Sequence, residues 1–473
     1  MTLAPMPYSN PIRRALRYVL VDRHRAELRA CVGEARALER LDAEQTAEMQ
    51  RQRLAHILTH AAAHVPYYRD LLPRHGVVDT SGNARPERLA ALPLLDKATL
   101  AEEFERLRSD DADTRGWVVN RSGGSTGEPT RFVQDRRYRA WAEAVKVVRD
   151  EWAGVRPGDR QALLWGSARD LFEGSEAWKT RLRRWSLNEL WVNAFFASEQ
   201  AMASHLVQLQ RFRPSYLLGY APNLHEFALF AERRGARLAS LQSVASGAGT
   251  LHPHMRDDIE RAFGVPVFNR YGSREFGAIA GDCEFRTGLH VAAPHVIVEV
   301  VRPDGSRADP HESGEIVVSS LTNFSMPLLR YRIGDRGATS SRTCACGCGW
   351  PLLDRVEGRV TDTFVHPDGG VVSPTGLVHL AGALVREGWV RRFQFVQETV
   401  EEVTVRIVPE GDIATAAERH AEAAGDLTHA VRKMMGPRSR IRIEFVETIP
   451  PSPSGKHLST ICKVKAPQDA PTR

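Results

Sequence analysis

Residues Arg121–Thr130 read Arg-Ser-Gly-Gly-Ser-Thr-Gly-Glu-Pro-Thr, and the interpretation of this stretch decides the fold. Gly123, Gly124 and Gly127 let backbone N–H groups turn inward and approach an anion closely. The hydroxyls of Ser122, Ser125 and Thr126 add donors. Such a loop suits a polyphosphate. No Gly-Lys-Ser/Thr follows, so it is not a Walker loop. Taken alone, it reads equally well as a surface linker, and the rest of the chain has to choose.

Upstream, Leu54, Ile57, Leu58, Ala61, Ala62 and Val65 repeat with helical spacing and predict one apolar stripe ended by Pro66. From Leu92 onward, short apolar runs alternate with helical stretches, the pattern of an α/β domain. The runs QALLWGS, PSYLLGY, SVASGAG and VPVFNRYG each end in small or Gly-rich residues, where open α/β sheets place ligands. Between Val291 and Thr322 the pattern becomes mostly β, with HVIVEVV and GEIVVSSL around the turn PDGS. Beyond Gly358 the order FQFVQ, VTVRIV, a helical Ala414–Met435 and IRIEFVE predicts a small α+β domain. The expected division is a helical segment over 1–90, a core over 91–357 with a β-rich Cys/His part, and a C-terminal lid over 358–473.

Bulk properties narrow the class. A chain of 473 residues exceeds one hydrophobic core, and 42% apolar with 26% charged residues is ordinary for a soluble protein. A net charge of +6 is spread along the chain, which suits anionic small molecules and gives no nucleic-acid footprint. No apolar run approaches the roughly 20 residues of a membrane span. The segment Met1–Leu16 lacks a signal-peptide apolar core, so a cytoplasmic enzyme is expected.

Four further motifs carry chemistry. Asn269-Arg270-Tyr271-Gly272-Ser273-Arg-Glu275 follows a buried run; Tyr271 could stack on a base and Glu275 could hold Mg²⁺. Tyr331-Arg-Ile-Gly-Asp335 offers a carboxylate for ribose hydroxyls. Glu357-Gly-Arg359-Val-Thr361-Asp362 lies at the expected boundary. Pro453-Ser-Gly-Lys456 places a cation on a mobile turn. Each alone is also an ordinary turn or surface charge.

In this order the five motifs resemble the acyl-adenylate-forming superfamily. More closely, they resemble its phenylacetate–CoA ligase branch with the capsule-biosynthesis-like relatives. The segment QRLAHILTHAAAHVPYYRDLL is similar to that branch's N-terminal helix, and the loop's Pro129-Thr130 ending matches it where the wider superfamily has Pro-Lys. The resemblance implies an α/β fold with a helical lead-in and a small mobile C-terminal α+β domain. It implies that Ser122–Thr126 and Gly127 hold ATP phosphates. Ser246, Gly247, Ala248, Asn269, Arg270, Tyr271, Gly272 and Ser273 would border the nucleotide. Glu275 would hold Mg²⁺, Asp335 and Arg359 the ribose, and Lys456 the reacting carboxylate and α-phosphate. Thr361 stands where many relatives have the first of two acids at the hinge.

The implied reaction turns a carboxylic acid, aryl or arylacetic if aromatic walls decide it, into acyl-AMP. Phe195, Phe196, Tyr220 and Ala248 are the candidate walls. Coenzyme A is the first acceptor, with an amine or a carrier protein as the alternative and a homodimer as the candidate assembly. A zinc-stabilised binding protein without chemistry is the rival reading. The presence of Glu275, Asp335, Arg359 and Lys456 speaks against it.

Cysteines add a metal. Cys344 and Cys346 lie in CACGCGW and Cys283 and His290 in GDCEFRTGLHV, a Cys₃His set suited to structural zinc. Cys348 is a surplus thiol, and unligated thiols are the alternative.

Overall fold

The computed structural model describes residues 26–121, 130–156, 158–165, 178–192, 199–359, 364–367, 371–372, 377, 381, 388–450 and 458–464. Helices Ala26–Leu38 (α1) and Ala43–His64 (α2) lead in. Asp42 caps α2 by accepting from the Gln45 N–H at 2.8 Å, while Gln45 Oε1 accepts from the Asp42 N–H at 3.2 Å. Helix α2 stops before Pro66, and the residues Leu54, Ile57, Leu58, Ala61 and Val65 are buried as the spacing predicts. Ala62 packs only half-buried at the stripe's edge.

A hairpin, Val118–Arg121 (β1) with Arg131–Gln134 (β2), brackets residues 122–129. Helix Arg136–Trp152 (α3) follows. Its cap, the buried Asp135, accepts from the Tyr138 N–H at 2.7 Å. The other carboxylate oxygen accepts from the Phe324 and Ser325 N–H groups at 2.8 and 3.0 Å. One side chain therefore caps a helix and pins a loop far away in sequence.

Among the described residues the central sheet has eleven strands. They are Gln161–Leu164 (β3), Glu189–Val192 (β4), Tyr216–Tyr220 (β5), Ser243–Gly247 (β6), Val267–Ser273 (β7) and Gly277–Asp282 (β8). Then come Leu289–Val291 (β9), Val296–Val301 (β10), Gly314–Ser320 (β11), Tyr331–Thr339 (β12) and Leu352–Arg359 (β13). Their spatial order is β10-β11-β12-β13-β9-β8-β7-β6-β5-β3-β4. From β7 to β4 all pairs are parallel; from β7 to β10 all are antiparallel. Strand β7 is the joint. Helices Ala221–Arg233 (α4) and Pro253–Phe263 (α5) connect the parallel strands.

Two short strands, Phe364–Val365 (β14) and Val371–Val372 (β15), pair next. A separate four-stranded sheet contains Val390–Thr399 (β16), Glu402–Pro409 (β17), Arg440–Phe445 (β18) and Thr460–Cys462 (β19), in the order β18-β17-β16-β19. Helix Ala421–Met435 (α6) buries Leu427, Val431 and Met435 among this sheet's apolar residues. The chain is thus a large α/β unit with a small α+β unit after it. The helical stretch expected over Ala414–Met435 is broken at His420, whose ring stacks on Trp389 with centroids 4.5 Å apart. Strand β19, absent from the sequence reading, joins β16 in parallel.

The small unit rests on α4. Arg392 donates twice to Glu226 Oε2, at 3.0 and 2.7 Å, and Arg233 pairs with Glu410 at 3.2 Å. Among the described residues, no helix is long and apolar enough to cross a membrane.

Candidate active site and metal centre

The parallel strands bring their carboxyl ends together beside β7. Strand β6 ends in Ser246 and Gly247, and Ala248 follows with a left-handed φ of 54°. A non-glycine residue held there is a strained conformation of the kind that collects at binding sites. Ser246 Oγ is fully buried, with no hydrogen-bond partner among the described residues. A Cβ on Gly358 would lie 3.2 Å from Thr250 Oγ1, so the segment after Ala248 abuts the end of β13.

Tyr271 lies on β7. Its hydroxyl donates to Asp335 Oδ2 at 2.9 Å, and both residues are buried. Asp335 is registered against Arg359 on β13. Tyr271, Asp335 and the Arg359 backbone are therefore neighbours across three strands. Gly272 is required for space: a Cβ there would collide with the Gly277 carbonyl oxygen across the β7–β8 turn. Ser273 Oγ accepts from the Phe276 N–H at 3.2 Å, so its hydroxyl serves the turn itself.

Glu275 sits buried in that turn. Tyr138 Oη donates to its carbonyl at 2.8 Å, and Gln134 Nε2 donates to the Arg274 and Glu275 carbonyls at 2.8 and 3.3 Å. Gln134 ends β2, so the stem of the 122–129 loop is bonded to the Glu275 turn. Burial, and then the nearby Glu275 carboxylate, hold the Tyr138 hydroxyl well above its ordinary range.

Arg270 departs from expectation. Side chains alternate along a strand, and its guanidinium lies on the opposite face from Asn269 and Tyr271, paired with Asp150 at 2.5 Å and lying over the Tyr216 ring at 5.1 Å. Lys146 also binds Asp150, at 3.1 Å. The guanidinium of Arg270 belongs to a buried charge cluster, away from the face expected to border the nucleotide, which corrects the expectation for its side chain.

An aromatic wall stands at the ends of β3 and β5. Trp165 stacks on Tyr220 at 4.2 Å with planes 27° apart. A Cβ on Gly247 would lie 3.9 Å from the Trp165 ring, and Ala248 packs half-buried nearby. Trp165 was missed by sequence reasoning. Its signal was present, because it follows the apolar run of QALLWGS as Tyr220 ends that of PSYLLGY. The expected residues Ser122–Gly127, Phe195, Phe196, Thr361 and Lys456, and the side chain of Arg359, lie outside the described residues.

The cysteines converge. Cys283, His290, Cys344 and Cys346 place one ligand atom each within 4.8 Å of one another. Cys283 and Cys344 sulfurs are 3.4 Å apart, and Cys346 Sγ is 3.3 Å from His290 Nε2. His290 Nδ1 faces the Trp350 carbonyl at 3.2 Å, the outer contact that fixes a metal-ligating imidazole. Cys348 lies outside this group and bonds its N–H to Cys346 Sγ at 3.5 Å. The donor set and spacing fit a tetrahedral zinc.

Comparison with known proteins extends the picture. A family description, the CapK C-terminal domain, matches residues 364–463. The chain is 28% identical over 335 residues to the phenylacetate-coenzyme A ligase of Thermus thermophilus, covering 69% of this chain and 73% of the relative. It is 24% identical to the protein CapK of Staphylococcus aureus, over 88% of this chain and 89% of the relative. Among solved structures it resembles 2-hydroxyisobutyryl-CoA ligase, crystallised in the postadenylation state with an acyl-AMP. The TM-score is 0.68 at 21% identity, covering 86% and 87% of the two chains.

Proposed function

We propose that the chain is a member of the phenylacetate–CoA ligase-like, capsule-biosynthesis-like branch of the acyl-adenylate-forming superfamily, and that it activates a carboxylic acid with ATP and passes the acyl group to coenzyme A. The observation that carries the proposal is a convergence. The stem of the 122–129 loop, Glu275, Ser246–Ala248 and the Tyr271–Asp335 pair meet at the carboxyl ends of the parallel strands.

In the first step a carboxylate oxygen attacks the α-phosphorus. The bond to the β-phosphate oxygen breaks, and pyrophosphate leaves with the electron pair. The backbone donors of Ser122–Gly127 would hold the phosphates, and Asp335, oriented by Tyr271, would fix the ribose. Asn269 and Ser246–Ala248 would border the adenine. Lys456 would neutralise the approaching carboxylate and α-phosphate. Glu275 would hold Mg²⁺, which supplies charge neutralisation on the phosphates when bound. The acyl group would face Trp165, Tyr220 and Ala248, a lining suited to an aryl or arylacetic acid, with Phe195 and Phe196 kept as candidates from the sequence alone. In the second step a thiol attacks the acyl carbon and AMP leaves. The division of labour follows the proposed boundaries: a helical segment over 1–90, a core over 91–357 and a mobile lid over 358–473 that brings Lys456 to the site. We assign structural zinc to Cys283, His290, Cys344 and Cys346, and place the enzyme in the cytoplasm, with a homodimer as its candidate assembly.

The test is acid-dependent ATP–pyrophosphate exchange over a panel of aryl, arylacetic and short aliphatic acids, followed by product analysis with coenzyme A and several amines. A thioester product supports the proposal, and an amide product moves the acceptor to an amine. Absence of exchange with every acid, together with absence of ATP binding, rejects the ligase reading. Lys456→Ala should cut exchange severely while leaving the fold intact; near-normal exchange removes its role.

A further inference from the structure

Strand β7 carries the two nucleotide-side residues Asn269 and Tyr271, and its first half is held from behind. The β7–β8 ladder runs from Ser273–Gly277 to Arg270–Gly281 and stops short of Asn269. There a side chain replaces the missing strand partner: the buried Asp282 accepts the Asn269 backbone N–H at 2.8 Å. The same oxygen accepts from Arg256 on α5 at 2.8 Å. Arg256 also donates to the Val267 carbonyl at 2.5 Å. One helical turn later, Glu260 accepts the Val267 N–H at 2.9 Å and pairs with Arg286. Helix α5 thus clamps the start of β7 and the loop that follows β8.

That loop opens with Cys283, which is one peptide bond from Asp282 and one of the four clustered metal-ligand candidates. Asp282 ends β8, paired with Leu289 on β9, and Cys283 continues directly from it, so whatever holds Cys283 also bears on the backbone that aims the Asp282 carboxylate. Of the contacts that fix Cys283, the cluster with Cys344, Cys346 and His290 is the most distant in sequence and the most rigid once metallated.

We infer that Asp282 is a positioning residue that transmits the geometry of the Cys283–His290–Cys344–Cys346 cluster to Asn269, so that a metal in the cluster sets ATP affinity without touching ATP. The inference rests on the ligase reading for the identity of the nucleotide. The link between cluster and strand runs through Asp282 and Cys283 whatever the nucleotide is. Coupling between two distinct sites typically changes affinity by about five- to 150-fold. A cluster that served only global stability would lower the melting temperature and leave the folded protein's affinity for ATP unchanged.

The experiment compares zinc-loaded protein, protein stripped with a chelator, Asp282→Ala and Asp282→Asn. Two quantities are read from each: amide exchange of the peptide covering 267–273, and the dissociation constant for ATP. Stripping and Asp282→Ala should each speed exchange at Asn269 and weaken ATP by about tenfold, within the usual range of site-to-site coupling. Stripping Asp282→Ala should add little, because both changes break one link. Asp282→Asn keeps an acceptor and should fall between; it also stands in if the alanine variant does not fold. Unchanged exchange in stripped protein, or fully additive losses, would overturn the inference. If zinc-loaded wild type fails to bind ATP, the ligase reading falls, while the exchange measurement still decides the role of Asp282.

Discussion

The hydroxyl of Tyr271 points at Asp335 from 2.9 Å across three strands of one sheet. Each residue came from a different sequence motif, and nothing in their spacing required them to touch. The bond gives Tyr271 a task beyond stacking, since it holds the carboxylate that the proposed ribose would meet. Losing a hydrogen bond to a charged group costs about 1.5 kcal/mol, or roughly tenfold. Tyr271→Phe should therefore raise the ATP dissociation constant by about tenfold while keeping the fold. Asp335→Ala should do more. An unchanged Tyr271→Phe, measured by calorimetry, removes the hydroxyl from the site.

Metal content is a separate matter. Protein purified without added zinc should carry about one zinc per chain, the stoichiometry of a single Cys₃His site. Cys344→Ser and Cys346→Ser should lose it and melt at lower temperature. Cys348→Ser should keep it, because Cys348 lies outside the converging group. Elemental analysis with thermal melting decides. Zinc retained by Cys346→Ser would refute the ligand set.

Acid should act through His295. Its ring is fully buried, with Nε2 donating to the Phe276 carbonyl at 2.8 Å and Nδ1 accepting from Thr322 at 2.7 Å. Burial pushes it from an ordinary 6.5 down to about 4, with the Phe276 hydrogen bond opposing. A group depressed in the folded state stabilises fully above its unfolded value, and loses that contribution as pH falls through the folded one. Stability should therefore drop by about 3 kcal/mol between roughly pH 6.5 and pH 4. His295→Gln should flatten that limb. Denaturant midpoints across the range test it, and an unchanged slope counts against the assignment.

The contact between the small unit and α4 rests on Arg392 and Glu226. Burial raises the Glu226 carboxyl above its usual range, and Arg392 opposes the shift. Arg392→Ala leaves that carboxylate buried and unpaired, a loss of about 3 kcal/mol. The interface should open, with faster proteolysis between 360 and 388 and a larger radius of gyration. The swap Glu226→Arg with Arg392→Glu should recover part of the contact. Identical proteolysis in all variants would mean the pair does not hold the small unit.

Much of this was legible in the chain. The α2 stripe, the alternation of β and α, the β-rich section and the small terminal unit follow from apolar periodicity, which burial enforces. The Cys₃His set followed from donor type and short local spacing. What escaped was relational. Arg270 sits inside a nucleotide-like motif, yet strand alternation turns its guanidinium toward Asp150. Trp165 drew no notice within QALLWGS, because its stacking on Tyr220 exists only once β3 lies beside β5. The break at His420 coincides with its stacking on Trp389, a contact between residues no local pattern links.

Asp135 has one more consequence, and it concerns how the chain reaches this shape. Its carboxylate caps α3 and binds the Phe324 and Ser325 amides, 189 and 190 residues away. The first turn of the helix and the closure of a very long loop are thus completed by the same pair of oxygens. Loop closure over such a distance is entropically costly and slow to find. The rate-limiting search should be for this encounter, and α3 should gain its last protection late, when the large sheet zips shut. Secondary structure and chain topology would then be acquired in a single cooperative event.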